Sequence, residues 1–278
     1  MIVFYTLLAT VTSYRFLPQE SLQVSLTTDA LRKYISSSAE SPYHVLIVYS
    51  SLYCSGALVR SKVVVTVASC MTVKEPKNAV VKIGSDTIVG YGQIIPVVEV
   101  KIHEYFKHLS SMDNDIAVLC LKHDVNLLPT AKKVIIVESE VALRIGTTLQ
   151  VTGWGGPKMP GKFANVLLRS EMVVLNKSHC QKHYKHLLTS SNFCVKYQPE
   201  RRLGDNGGPA VLNELLVGLV SFGATNIKEP HVAVLTNVSY FHRWILLNSS
   251  RLLKKYCIPK HDKDEKEIQD IHHQQDVA

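Results

Sequence analysis

No apolar run in this chain reaches the roughly 18 residues that a membrane-crossing helix needs. The most apolar stretch near the start, residues 1–11 (MIVFYTLLATV), is broken by Thr6 and Thr10 and closed by Arg15. Charge is also scarce, 19% against 46% hydrophobic residues, which excludes a disordered chain. Fourteen Gly and eleven Pro follow no fixed period, so collagen-like sequence drops out. No repeat of roughly 20 to 50 residues shows, which removes solenoids. What remains is a globular chain of 278 residues, long enough for about two compact units.

The N-terminal stretch is too short to span a bilayer and reads as a secretory signal over residues 1–13, with the small Ser13 two residues after Val11 suiting cleavage. Residues 14–33 are polar, end in Arg32 and Lys33, and read as a propeptide-like leader. Six Cys, an even number, and three sequons at Asn176, Asn237 and Asn248 agree with an oxidising, extracellular destination for a glycoprotein. Residues 258–278 carry more acids than lysines, about −3 in all, and form a disordered tail. The body between is therefore strongly basic, about +11 out of a whole-chain net of +8.

From Tyr43 onward, short Val, Ile and Leu-rich runs recur at 45–49, 63–67, 80–83, 97–102, 116–121, 134–137, 149–152, 172–175, 215–221 and 232–238. Turn residues lie between many of them, the spacing of an all-β barrel or sandwich. One late segment, 240–255, places Phe241, Trp244, Ile245, Asn248 and Leu252 at helical intervals before Lys254 and Lys255, and predicts a C-terminal amphipathic helix. In 176–186 (NKSHCQKHYKH), a helix would put His179, His183 and His186 on one side, near Lys177, Lys182 and Lys185. Zinc lacks a fourth ligand there and is opposed by the ammonium groups. The plain reading is an exposed basic turn; the functional one is an acidic partner or sulfated glycan held by charge. No cofactor, metal, nucleic-acid or membrane partner is expected.

The order of short motifs carries more than any one of them. CSGAL from Cys54 leads to VVVTVASC ending at Cys70, then DNDIAVL from Asp113, VTGWG ending at Gly155, Cys180 and Cys194, GDNGGP from Gly204, VSFG ending at Gly223, and LTNVSYFHRWI ending at Ile245. This series resembles the trypsin and chymotrypsin family of serine proteases. The resemblance implies an all-β double-barrel domain over 34–257: two antiparallel six-stranded β-barrels with a cleft between them, and a C-terminal helix. It also implies disulfides Cys54–Cys70 and Cys180–Cys194. The remaining Cys120 and Cys257 are either free thiols or a bridge that pins the final helix to the first barrel.

Carried over residue by residue, the family's catalytic positions are Ser69 where it has His, Asp115 where it has Asp, and Asn206 where it has the nucleophilic Ser. A serine hydroxyl cannot shuttle a proton near neutral pH as an imidazole does, and an amide is not an activated nucleophile. Gly204 and the Asn206 N–H match the oxyanion hole, but donors alone do not form an acyl-enzyme. At the positions of the specificity pocket stand Glu200, Ser221, Gly223 and Ala233, without the Cys pair that staples the family's pocket loops. Asp115 has a structural reading too, as a buried carboxylate held by Ser69, Ser221 and backbone N–H groups. Asp205 pairs in the family with a newly released amino terminus. Here Tyr34-Ile-Ser-Ser follows Lys33 in place of Ile-Val-Gly-Gly, and an uncleaved state with Asp205 paired to Arg201 or Arg202 is the alternative. The sequence therefore predicts a secreted, catalytically inactive homologue that binds extracellular proteins; the alternative is a serine-type hydrolase with residual or unconventional activity.

Overall fold

The computed structural model describes residues 34–49, 52–72, 78–107, 109–138, 143–154, 165–197, 205–223 and 231–257, the last residue as backbone only. The segments 1–13, 14–33 and 258–278 lie outside the described residues, as do Glu200, Arg201, Arg202 and Gly204.

Strands β1 (His44–Tyr49), β2 (Leu52–Arg60), β3 (Val63–Thr66), β4 (Val80–Ile83), β5 (Gln93–Ile102) and β6 (Ala117–Leu121) close an antiparallel barrel in the order β1-β2-β3-β6-β5-β4. The second sheet holds β7 (Ile135–Ile136), β8 (Thr148–Gly153), β9 (Leu168–Val174), β10 (Asn192–Tyr197), β11 (Pro209–Leu212), β12 (Leu215–Phe222) and β13 (Val232–Asn237). Its order is β11-β8-β9-β10-β13-β12, and pairing of β11 with β12 closes the second six-stranded barrel. Closure leaves neither barrel with a free edge. β7 lies outside that ring, parallel to β12. The strand expected at 134–137 shrinks to Ile135–Ile136 because this segment is the connector between barrels: Val134 N–H donates to Leu58 O in the first, Val137 N–H to Leu216 O in the second.

The unbroken apolar runs of β3 and β6 have a simple cause. Every residue of both strands is buried, because both faces are covered. Val64, Ala117, Leu119 and Leu121 fill the first barrel. The alternating set Val63, Val65, Val118 and Cys120 points the other way, into a cluster with Phe241, Ile245 and Leu252. Those last residues belong to or lead into helix α2 (His242–Cys257), since a shorter helix, α1 (Lys177–Tyr184), precedes it in the chain. The C-terminal helix begins two residues later than its apolar spacing predicts. Tyr240 N–H and the Ser239 hydroxyl instead donate to Asn237 Oδ1, forming the turn that leads into it.

The bridges Cys54–Cys70 and Cys180–Cys194 are present. Cys120 sits on the face of β6 that α2 covers, and Cys257 is the last residue of α2. Two sequons need correction as glycan acceptors. Asn237 is 4% exposed and serves as the turn acceptor just described. Asn248 is also 4% exposed and donates through Nδ2 to Trp244 O. A glycan on either would have to be accommodated inside the packed fold; of the three, only Asn176 is exposed.

Candidate functional site

Asp115 closes the loop leading into β6 and is 1% exposed. Its Oδ1 accepts the Ser69 N–H at 2.7 Å, and its Oδ2 accepts the hydroxyls of Ser69 at 3.0 Å and Ser221 at 2.5 Å. Ser69 stands on a single 3-10 turn, Ala68–Met71, which follows β3 of the first barrel; Ser221 stands on β12 of the second. The Thr236 hydroxyl of β13 donates to the Asp115 carbonyl at 2.8 Å. One acidic residue thus ties the barrels together. Burial pushes its carboxyl above the ordinary range, and the hydrogen bonds from Ser221, Ser69 and Ala68 oppose that push.

Neither His44 nor His103 is among the partners of this carboxylate, which are Ser69, Ser221 and Ala68. His44 is bonded elsewhere, as described below. His103 packs against Phe241 and Trp244, with ring centroids 5.2 and 4.9 Å away, and burial lowers its pKa. His108 lies outside the described residues.

Asn206 is exposed, and its carbonyl accepts the Ser55 N–H at 2.9 Å. The turn that carries it is tight. Gly207 has φ +84°, and a Cβ there would lie 2.0 Å from Ser55 O, so only glycine fits. Gly208 N–H closes the turn onto Asp205 O at 2.8 Å.

Behind this turn runs a polar chain, buried at Thr152, His44 and Ser55 and half-buried at Asp205, for which sequence reasoning offered no role. Asp205 Oδ2 accepts the Trp154 N–H at 2.5 Å and the Ser55 hydroxyl at 3.4 Å. Ser55 Oγ lies 2.9 Å from His44 Nε2, and His44 Nδ1 lies 2.7 Å from Thr152 Oγ1. One assignment satisfies every atom: Thr152 donates to Nδ1, Nε2–H donates to Ser55, and Ser55 donates to Asp205. His44 is buried, 4% exposed, and neutral, its pKa pushed down to about 3 by desolvation. Asp205 is pushed up to about 6 for the same reason, against the bonds from Trp154 and Ser55. Asp205 therefore finds its partners in the fold itself, in Ser55 and Trp154. The signal in the sequence was a lone histidine at the head of the apolar strand HVLIVY.

Of the residues at the specificity-pocket positions, Ser221, Gly223 and Ala233 are described. The Ser221 hydroxyl faces Asp115. Ala233, fully buried, packs among Val195, Val220 and Leu235 inside the second barrel. Gly223 has φ +89°, and a Cβ there would lie 2.4 Å from the Tyr184 hydroxyl, which donates to Val232 O. The three histidines of 176–186 also part company. α1 ends at Tyr184, and Lys185 takes a non-helical φ of 12°, so His186 leaves the helical face of His179 and His183.

A family profile described as Trypsin matches residues 34–245. The vitellin-degrading protease of Bombyx mori is 30% identical over 225 residues, covering 79% of this chain and 85% of that protein. Trypsin of Sus scrofa is 29% identical over 219 residues, covering 76% and 92% respectively. Among solved structures, the scabies mite inactivated protease paralogue S-I1 superposes with a TM-score of 0.69 at 26% identity, covering 77% of this chain and 97% of its own. The paralogue S-D1 of the same mite has the same TM-score of 0.69 at 23% identity, with 82% and 98% covered.

Proposed function

The chain belongs to the trypsin family of serine proteases, and from that premise we propose that it is a secreted, catalytically silent member that acts by binding other extracellular proteins along its cleft rim and surface loops. One observation carries the reading. The carboxylate that would orient a proton-shuttling imidazole is enclosed by two hydroxyls and an N–H, from Ser69 and Ser221, and the position of the attacking hydroxyl is Asn206. Without a base and a nucleophile, hydrogen-bond donors and binding leave at most about 10³ to 10⁴ over the uncatalysed rate. Two disulfides support export, since such bonds persist in oxidising compartments. Among the described residues no helix is long and apolar enough to cross a membrane.

The internal polar chain ending at Asp205 adds a second feature of this reading. Asp205 is hydrogen-bonded without a released amino terminus, so the turn at Asn206 holds its shape in the uncleaved chain and binding requires no activation at Lys33. The test is covalent labelling with a serine-directed fluorophosphonate, alongside peptide cleavage before and after trypsin treatment. No label and no turnover are expected. Turnover abolished by Asn206→Ala or by Ser69→Ala in a contaminant-free preparation would show that these residues work as a catalyst.

A further inference from the structure

From Glu171 to Glu200 the sequence contains no acidic residue between these two, yet it carries Lys177, Lys182, Lys185 and Lys196 with His179, His183 and His186. The fold gathers most of these side chains on one side of the second barrel. Cys180 of α1 is fully buried and bridged to Cys194 of β10, which fixes which side of the helix faces in. Tyr184, one turn on, follows it inward and donates to Val232 O. Lys182, two residues from each, falls on the opposite side at 100° per residue, with His179 beside it; both are exposed. Lys185 and His186, just past the helix end, are exposed as well. Lys196 stands two residues beyond Cys194, so it leaves β10 on the same face that α1 covers, and it is exposed.

Three cations elsewhere on the surface are matched by the chain's own carboxylates. Lys255 pairs with Glu99, Lys101 with Glu104 and Arg169 with Glu40. Among the described residues, Lys182, Lys185, Lys196, His179 and His186 form no ion pair. Lys177 is the exception in this group: its ammonium is turned inward onto Thr189 O, bracing the helix against the loop that follows. The cationic face is therefore built on a disulfide-anchored helix, and its own charges are left for an external anion.

We infer that the outer face of α1, with Lys185 and Lys196, is a binding surface for a linear sulfated glycan. The outward side of the helix, Ser178, His179 and Lys182, offers no Leu, Phe or Trp, which an amphipathic helix needs in order to enter a bilayer. It offers no exposed aromatic platform for stacked bases either. Point-like ammonium and imidazole donors spread along a helix match the regularly spaced sulfates of an extended polyanion. The choice of a glycan rests on the reading that the chain is exported, which is measured separately by its appearance in culture medium; the binding test below does not depend on it.

The experiment is immobilised heparin with a salt gradient, using the full chain with its disulfides intact. Two variants remove equal charge: Lys182→Ala/Lys185→Ala on the proposed face, and Lys132→Ala/Lys133→Ala, which lie exposed in a groove shared with Glu40, Glu171 and Glu214. The first is expected to elute at lower salt than wild type. Its log K against log salt is expected to be shallower by about 1.4 to 1.8, the loss of two counterion-releasing contacts. The second is expected to elute with wild type, and both to keep the wild-type circular dichroism. Equal shifts in both variants, reporting net charge alone, would overturn the assignment, as would no shift in the first. Equal retention of wild type on immobilised polyglutamate or on anionic vesicles of matched charge density would overturn the glycan as occupant.

Discussion

The pair Asp205 and His44 makes a prediction that neither residue makes alone. Asp205 has a folded pKa of about 6, above its unfolded value, so its protonated form is favoured in the fold. Its contribution is fully present below about pH 4 and is lost as pH rises through 6. His44 has a folded pKa of about 3, below its unfolded value, so it contributes stability above about pH 6.5 that drains away as pH falls. Each unit of pH between folded and unfolded values carries about 1.4 kcal/mol. Going from pH 7 to 4.5, Asp205 therefore adds about 2 kcal/mol and His44 removes about 3 kcal/mol. The two nearly cancel, and their joint contribution to the wild-type profile is a shallow loss of about 1 kcal/mol.

Substitution separates them. His44→Gln keeps a hydrogen-bonding side chain without the proton, and relative to wild type it should become more stable on acidification to pH 4.5, by about 3 kcal/mol. Asp205→Asn keeps an oxygen for the Trp154 N–H, and should lose about 2 kcal/mol more than wild type over the same range. The assay is urea unfolding of all three proteins at half-unit pH steps, with the disulfides intact. Comparing differences to wild type removes the other carboxyls, including Glu104, held low at about 2 by Lys101 and Trp244 despite its desolvation. Parallel profiles for wild type and both variants would refute the reasoning, because they would mean that these groups titrate alike in the folded and unfolded chains.

Four further outcomes are expected. Ser221→Ala, which takes a buried donor from the Asp115 carboxylate, should destabilise the fold by about 1.5 to 3 kcal/mol in chemical denaturation, with Ser69→Ala at the lower end because Ser69 N–H remains. Lys82, 5% exposed, donates to Thr87 O, Ile88 O and Gly90 O; Lys82→Met should cost about 2 to 4 kcal/mol and speed amide exchange across residues 84–92. Non-reducing peptide mapping should recover Cys120 joined to Cys257, and Cys120 should resist alkylation until reduction. The double reversion Ser69→His/Asn206→Ser should remain well below ordinary enzyme rates of about 1 to 10³ per second, measured on peptide esters and amides, because Tyr34-Ile-Ser-Ser still follows Lys33 in place of Ile-Val-Gly-Gly and the pocket positions Glu200 and Ala233 still depart from the family.

The barrels were legible because each strand is short, apolar and bounded by turns, and because β3 and β6 are buried on both faces and so lack polar interruptions. The tie at Asp115 was legible as a list of candidate partners, since its hydroxyls stand inside recognisable motifs. The chain from Thr152 through His44 and Ser55 to Asp205 was not. Its four members come from β1, β2, β8 and the turn before β11, and separations of 11, 108 and 150 residues leave no local pattern to read. His44 in particular heads an apolar strand, where period-two reading assigns it to the core and stops. The surroundings of the pocket positions were illegible for a related reason. Strand parity places Ser221 and Ala233 on a face, but which space that face encloses depends on β10, β12 and β13 meeting. The same limit governs Asn237 and Asn248, whose three-residue sequons are complete while their side chains are used to turn the chain into α2 and to satisfy it from within. A sequon states only that the acceptor chemistry is present. Whether a glycan can stand there depends on the room around the side chain, and of these sites only Asn176, the cap of α1, is exposed, close in sequence to Lys182 and Lys185.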